Sequence, residues 1–291
     1  MPALARKPQR YFGGFTNTDR WEHFVSKPND VFVSTPPKCG TTWTTTIVTM
    51  LCHGKTDVIP SELVQWIDAN VVPIEEAVNS LAAQSHRRCI KSHTPFDGMP
   101  YFEDGAYIAV YRHPLDMMFS HRKHTINMKS SAPDHPFHGD ADASLEFFVE
   151  QTLDFEEYDD SILEAAVRHY QSFIEAPVPA NVLIIHYADM LLDARGVIQS
   201  ISDHMGLEPD ARFLDAIYEV TKFGNMKSHA QRYAPFADRG FWHDTTKFFD
   251  SGGTNKWSGE LSPSSVALYR DRIGKLLSPA ELAWLEGGSE I

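Results

Sequence analysis

Four short runs rich in β-branched, aromatic and other apolar residues recur along the chain: DVFVS (30–34), CIKSH (89–93), AYIAVY (106–111) and NVLIIHY (181–187). Their apolar character is nearly continuous rather than alternating, which predicts central strands of a parallel sheet covered on both faces. Helical patterns lie between them. After Gly40, the apolar residues Trp43, Ile47, Val48 and Leu51 recur at i, i+4, i+5 and i+8, with Gly54 as a stop. SILEAAVRHYQSFIEA places Ile162, Ala165, Ala166, His169, Tyr170 and Phe173 on one face, and ARGVIQSISDHMG ends at Gly206. Strand–helix alternation of this kind predicts right-handed crossovers and an α/β fold: a single domain over residues 1–291, with a central parallel sheet flanked by helices. The stretches 129–144 and 238–263 read as long loops, the usual material of lids and binding elements.

The charge balance limits what such a fold binds. With 26 basic and 39 acidic residues the net charge is -13, which repels nucleic acid and anionic membranes at long range. An anionic ligand must then be held by a few placed cations. No apolar run approaches the ~18 residues of a bilayer span, and MPALARKPQRYFGG lacks the apolar core of a secretory leader. The three cysteines, Cys39, Cys52 and Cys89, have no metal-ligand spacing and suit a reducing compartment, so a cytoplasmic protein is expected.

The first run leads directly into STPPKCGTTW (34–43) and then a helix. Unpaired N–H groups and the macrodipole make a helix N-terminus a phosphate or sulfate site. Gly40 permits close approach, Thr41 and Thr42 offer hydroxyls, and Lys38 adds a charge. The nucleoside-triphosphate version, GxxxxGK[ST], sets its lysine just before a magnesium-binding hydroxyl. Here the lysine precedes the glycine by two, which disfavours a magnesium-dependent kinase or ATPase. Taken alone, the loop is equally a threonine-capped helix start with a solvated lysine.

YRHPLDMMFSHRKH (111–124) repeats the theme at the end of the third run. Arg112 follows the strand, Pro114 opens a helix, and Ser120 lies two turns in, so that fork and hydroxyl can grip a second phosphate. The alternative for Arg112 is a surface ion pair with Asp116. His121 and His124 lack a third metal ligand and read as a polar helix face.

Together these segments resemble the cytosolic sulfotransferases and their bacterial relatives. PKCGTTW is similar to that family's PKSGTTW loop, and YRHPLDMMFS to its arginine-x-proline-x-aspartate motif with serine eight residues after the arginine. IKSHTP (90–95) resembles its lysine-threonine-histidine stretch, IIHYADM (184–190) its Tyr-Glu-Asp strand end, and TKFGNM (221–226) its threonine-serine-phenylalanine segment. Five motifs in order are far more specific than one.

The resemblance implies a P-loop-like nucleotide-binding fold that uses 3'-phosphoadenosine 5'-phosphosulfate (PAPS), without a metal, to sulfate a hydroxyl or amine. By the same token Lys38, Cys39, Gly40, Thr41, Thr42 and Trp43 hold the 5'-phosphosulfate, and Arg112 and Ser120 the 3'-phosphate. Tyr187, Thr221, Phe223 and Met226 line the adenosine side, and Gly252 lies on a closing loop. His93 matches the catalytic base, with Lys91 beside it and Lys38 neutralising the departing oxygen. Without its neighbours His93 would read as a hydrogen-bonded core histidine. Two departures stand out: Cys39 replaces serine, and Asp250 and Ser251 occupy positions where the family has cations. Either Asp250 points away, or Lys256 or Lys247 substitutes, or the grip is weaker. The N-terminal aromatics Tyr11, Phe12, Phe15, Trp21 and Phe24, with the 129–144 loop, are expected to offer apolar walls to a small acceptor, an apolar or aromatic alcohol or phenol. The competing function classes are a Mg/ATP phosphotransferase and a non-catalytic nucleotide-binding protein.

Overall fold

The computed structural model describes residues 8–175 and 178–288. The first seven residues of the stretch tested for a leader, and Ala176 at the end of the predicted helix, lie outside them. Five parallel strands form one sheet in the order β2-β3-β1-β4-β5, with β1 Val31–Ser34, β2 Gln65–Trp66, β3 Cys89–Ser92, β4 Ala106–Tyr111 and β5 Val182–His186. The four runs read as strands all form strands. β2 has only two residues, too few for any periodicity to show.

Period-2 geometry sends alternate side chains to opposite faces, and both faces are covered. Phe32, Ile90, Tyr107, Ala109 and Tyr111 pack into one core with Phe173 of the helix Leu163–Ile174 and Ile273 of the helix Pro263–Leu276. Val31, Val33, Cys89, Ile108 and Val110 pack into the other, against Ile47 and Val48 of the helix Thr41–His53, Ile198 of Ala194–His204 and Ile217 of Ala211–Thr221. The result is three layers, helix on sheet on helix.

A buried ion pair locks the lower edge of this sheet. Asp30 and Arg88 immediately precede β1 and β3, whose register pairs Val31 with Cys89. Both side chains are 2% exposed, and the guanidinium donates through Nε at 2.8 Å and through Nη2 to the two carboxylate oxygens. Asp30 also accepts from the amide of Lys27, and Arg88 donates to the carbonyl of Val25. The pair therefore fixes two strand starts and the chain leading into them.

The expected long loops are partly structured. Residues 141–144 belong to the helix Ala141–Glu150, because the Asp140 carboxylate caps it at the amide of Ala143 (2.8 Å). Within 238–263 the chain makes a short 3-10 turn, Thr245–Phe248, and an isolated bridge pairs Met128 with Trp242. Among the described residues no helix is long and apolar enough to cross a membrane.

Asp30→Ala leaves the Arg88 charge buried without its partner. Urea unfolding should show a loss of about 3–5 kcal/mol, and the double change Asp30→Ala with Arg88→Met should recover part of it.

Candidate active site

Each strand delivers its functional residue at its carboxyl end, where open parallel sheets bind ligands. β1 runs into the loop 35–40, β2 ends on Trp66, β3 is followed by His93, β4 by Arg112 and β5 by Tyr187. One cavity gathers them.

The loop after β1 is sharply bent. Lys38 has φ +67° and Gly40 φ +107°, the left-handed region that favours glycine. A Cβ on Gly40 would lie 3.0 Å from Tyr187 Cδ2. The bend aims the Lys38 side chain and the first turn of the helix Thr41–His53 into the cavity, where Gly40, Thr41, Thr42 and Trp43 form part of the wall. Cys39 does not join them. Its side chain is buried in the core and its amide donates to the carbonyl of Pro36 (3.4 Å), so the cavity wall skips this position.

Burial pushes the Lys38 amine down to about 7, and Arg112, Lys256 and Lys91 push it the same way. Lys38 Nζ donates to Nδ1 of His124 at 2.9 Å. Lys91 is lowered to about 8 by burial, against the pull of Asp160 and Asp68, and its amine sits 3.8 Å from the centre of the Trp66 ring. His93 is 7% exposed and its Nδ1 lies 2.6 Å from the carbonyl oxygen of Thr35. A carbonyl only accepts, so Nδ1 carries the proton and Nε2 keeps its lone pair. Burial and neighbouring Lys91 hold this imidazole well below its usual range, hence neutral.

Arg112 is 4% exposed and makes no ion pair with Asp116. Its guanidinium stacks 4.5 Å from the Tyr187 ring centre and donates to the carbonyls of Lys38 and Gly253. Its Nε, like the indole Nε1 of Trp43, is buried without a partner among the described residues. Asp116 instead accepts the amides of Asn255 (2.9 Å) and Lys256 (2.7 Å). Together with Tyr187 O–H donating to the carbonyl of Gly252 (2.8 Å), these bonds fasten the 250–257 loop across the strand ends. Gly252 itself needs its missing side chain, since a Cβ there would meet the Phe223 ring at 2.6 Å.

Asp250 does not point away from the cavity. Burial alone would raise its carboxyl, but hydrogen bonds from Lys256 (2.7 Å) and Lys123 (3.0 Å) hold it at about 2. One carboxylate between two ammonium groups leaves the local charge positive. Lys247 is exposed and faces Asp244 at 3.9 Å.

Ser120, Thr221, Phe223, Met226 and Gly252 also line the cavity, as expected. Three expectations fail. Of the five N-terminal aromatics only Phe15 reaches it: Tyr11 and Trp21 are buried in core clusters, Phe24 packs on Phe32, and Phe12 is 38% exposed. Residues 129–144 contribute none of the lining. Phe236, Phe241, Trp242 and Phe248 supply the aromatic wall instead. The polar-face expectation for His121 and His124 also fails, since both rings face the cavity and burial holds both neutral. Met117, His121, His124 and Met128 form one inward stripe at i, i+4, i+7 and i+11, a spacing the sequence does contain. Asp160 is a further lining residue with no such signal.

Known proteins give this geometry a context. The profile of the sulfotransferase domain family matches residues 28–280. A glycolipid sulfotransferase of Mycobacterium bovis is 29% identical over 300 residues, covering 92% of this chain and 91% of that protein. The crystal structure of a mouse sulfotransferase complexed with PAP superposes with TM-score 0.71 at 20% identity, covering 94% of each chain. Retinol dehydratase, solved with androsterone and PAP, superposes with TM-score 0.72 at 18% identity, covering 94% of this chain and 88% of that one.

Gly40→Ala combines a left-handed φ with a tight contact on Tyr187. Chemical denaturation should register a loss of roughly 1–3 kcal/mol, and an unchanged midpoint would show that the loop relaxes freely.

Proposed function

The chain belongs to the sulfotransferase family, and we propose that it moves the sulfuryl group of PAPS to a hydroxyl or amine of a small acceptor, with His93 as the base. The observation that carries this is the His93 imidazole: neutral, with Nδ1–H fixed on Thr35 and Nε2 free in a cavity that also holds the Lys38 and Lys91 amines.

The residues fit the nucleotide. Lys38, Arg112 and Lys256 converge on the strand-end half of the cavity, and the orphaned Nε of Arg112 and Nε1 of Trp43 are donors in want of an acceptor. The mouse protein crystallised with PAP supports the same ligand. Thr42, the helix start and Lys38 would hold the 5' end. Arg112 and Ser120 would hold the 3'-phosphate with Lys256, Trp43 would join the 5' end, and Tyr187, Thr221, Phe223 and Met226 would line the adenosine side. PAPS supplies a sulfuryl group on a phosphate oxygen that departs with the bonding electron pair. His93 Nε2 takes the proton of the acceptor hydroxyl as its oxygen bonds to sulfur. Lys38, placed by its bent loop, neutralises the charge left on the departing oxygen, while Lys91 adds a second cation at the reaction centre. In-line transfer otherwise asks only for positioning.

Phe15, Trp66, Phe236, Phe241 and Trp242 support an acceptor with an apolar or aromatic body, such as an alcohol or phenol. The glycolipid sulfotransferase named above is compatible with an apolar tail. Three unpaired cysteines support a cytoplasmic enzyme.

His93→Ala is expected to abolish transfer while PAP still binds, measured by calorimetry beside a radiolabelled sulfuryl assay; retained turnover would remove His93 from the mechanism. Lys38→Ala should cost roughly 3 kcal/mol of transition-state stabilisation. Anion binding favours the protonated amines, so PAP affinity should fall as pH rises through about 7 and about 8, where free Lys38 and Lys91 lose their protons. The fall should approach tenfold per pH unit for each group, and Lys38→Ala should flatten the lower part of the profile.

A further inference from the structure

Sulfuryl transfer gives tasks to the cations and to His93 and leaves one half-buried carboxylate unused. Asp160 lines the same cavity as Phe15, Trp66, Val71, Lys91 and His93, and its carboxylate lies within electrostatic reach of Lys91. It stands on an anchored turn. Tyr158 and Ile162, on either side, are 4% and 3% exposed, the amide of Tyr158 donates to the carbonyl of Phe12, and Asp159 accepts the amide of Ser161.

The two carboxylates of the cavity differ in their partners. Asp250 takes hydrogen bonds from two lysines, whereas no side chain among the described residues donates to Asp160, whose own amide is its recorded hydrogen bond. Lys91 attracts it through space, but that amine is held over the Trp66 ring. Burial, Asp159 and Lys91, in that order, leave the Asp160 carboxyl at about 7. A carboxylate served only by its own amide keeps lone pairs for an incoming O–H or N–H.

Charge narrows the ligand. Lys91 and Asp160 balance each other's charge, which favours a neutral hydroxyl over an ammonium or an anion beside them. The flanking Phe15, Trp66 and Val71 offer apolar surface to the C–H face of a ring. We propose that Asp160 determines acceptor specificity by taking a hydrogen bond from a second hydroxyl beside the one His93 deprotonates, so that the acceptor end is a neutral cyclic polyol such as a sugar.

This rests on the sulfuryl-transfer function and can fail separately from it. The test compares cyclohexanol, trans-cyclohexane-1,2-diol and trans-2-aminocyclohexanol as acceptors for the wild type, Asp160→Asn and Asp160→Leu. In the wild type kcat/KM should favour the diol over cyclohexanol by about ten- to a hundredfold, the range of a hydrogen bond to a charged group. The ratio should fall near unity in Asp160→Leu and lie between in Asp160→Asn. A ratio unchanged in Asp160→Leu, or a preference for the aminoalcohol, overturns the assignment while leaving the transferase intact. Calorimetric titration of the diol into PAP-saturated protein provides the second readout. Diol binding lost in Asp160→Leu, with no transfer to any acceptor, would overturn the transferase and leave the Asp160 assignment standing; neither transfer nor binding in the wild type overturns both.

Discussion

The gathering of buried and half-buried cations at one cavity governs this molecule. A chain with net charge -13 gathers Lys38, Lys91, Arg112 and Lys256 around a single cavity. Burial and their shared repulsion push Lys38 far below an ordinary lysine. Repulsion within such a cluster is relieved when an anion joins it, and the relief becomes affinity and selectivity for a polyanion. The acidic exterior sharpens this by leaving few other places for such a ligand.

The sheet makes the cluster possible. Short parallel strands with both faces covered turn their carboxyl ends to the same space, which His93, Arg112 and Tyr187 enter directly after β3, β4 and β5. The Asp30–Arg88 pair secures the opposite ends, so the register that sets Val33 beside Lys91 is held from below while the ligands of the site are displayed above. The 250–257 loop then spans the top, fastened by Asp116 and Tyr187.

Most of this was legible in the sequence where one physical rule dominated. Continuous apolar runs announced β1, β3, β4 and β5, and the strand–loop–helix at Lys38 and the Arg112–Ser120 pair announced residues that the structure brings into one cavity. Legibility failed where partners distant in sequence decided the outcome. β2 is too short for a pattern, and Asp160 sits in an acidic run that looks solvated. Tyr11 and Trp21 became core because long-range packing claimed them, and His121 and His124 point inward because Met117 and Met128 continue their stripe. The Asp250 question was answerable only once Lys123, far away in sequence, was seen beside it.

The position of Cys39 carries a consequence for the chemical reactivity of the protein. Its thiol sits in the loop that shapes the Lys38 site, yet burial pushes it up to about 12, as it does Cys52, and Cys89 is raised in the same way. Thiolates are the species that react with oxidants and alkylating agents, so the folded chain presents none. The thiol beside Lys38 therefore adds no redox sensitivity while it stays buried, and modification of Cys39 would report its exposure.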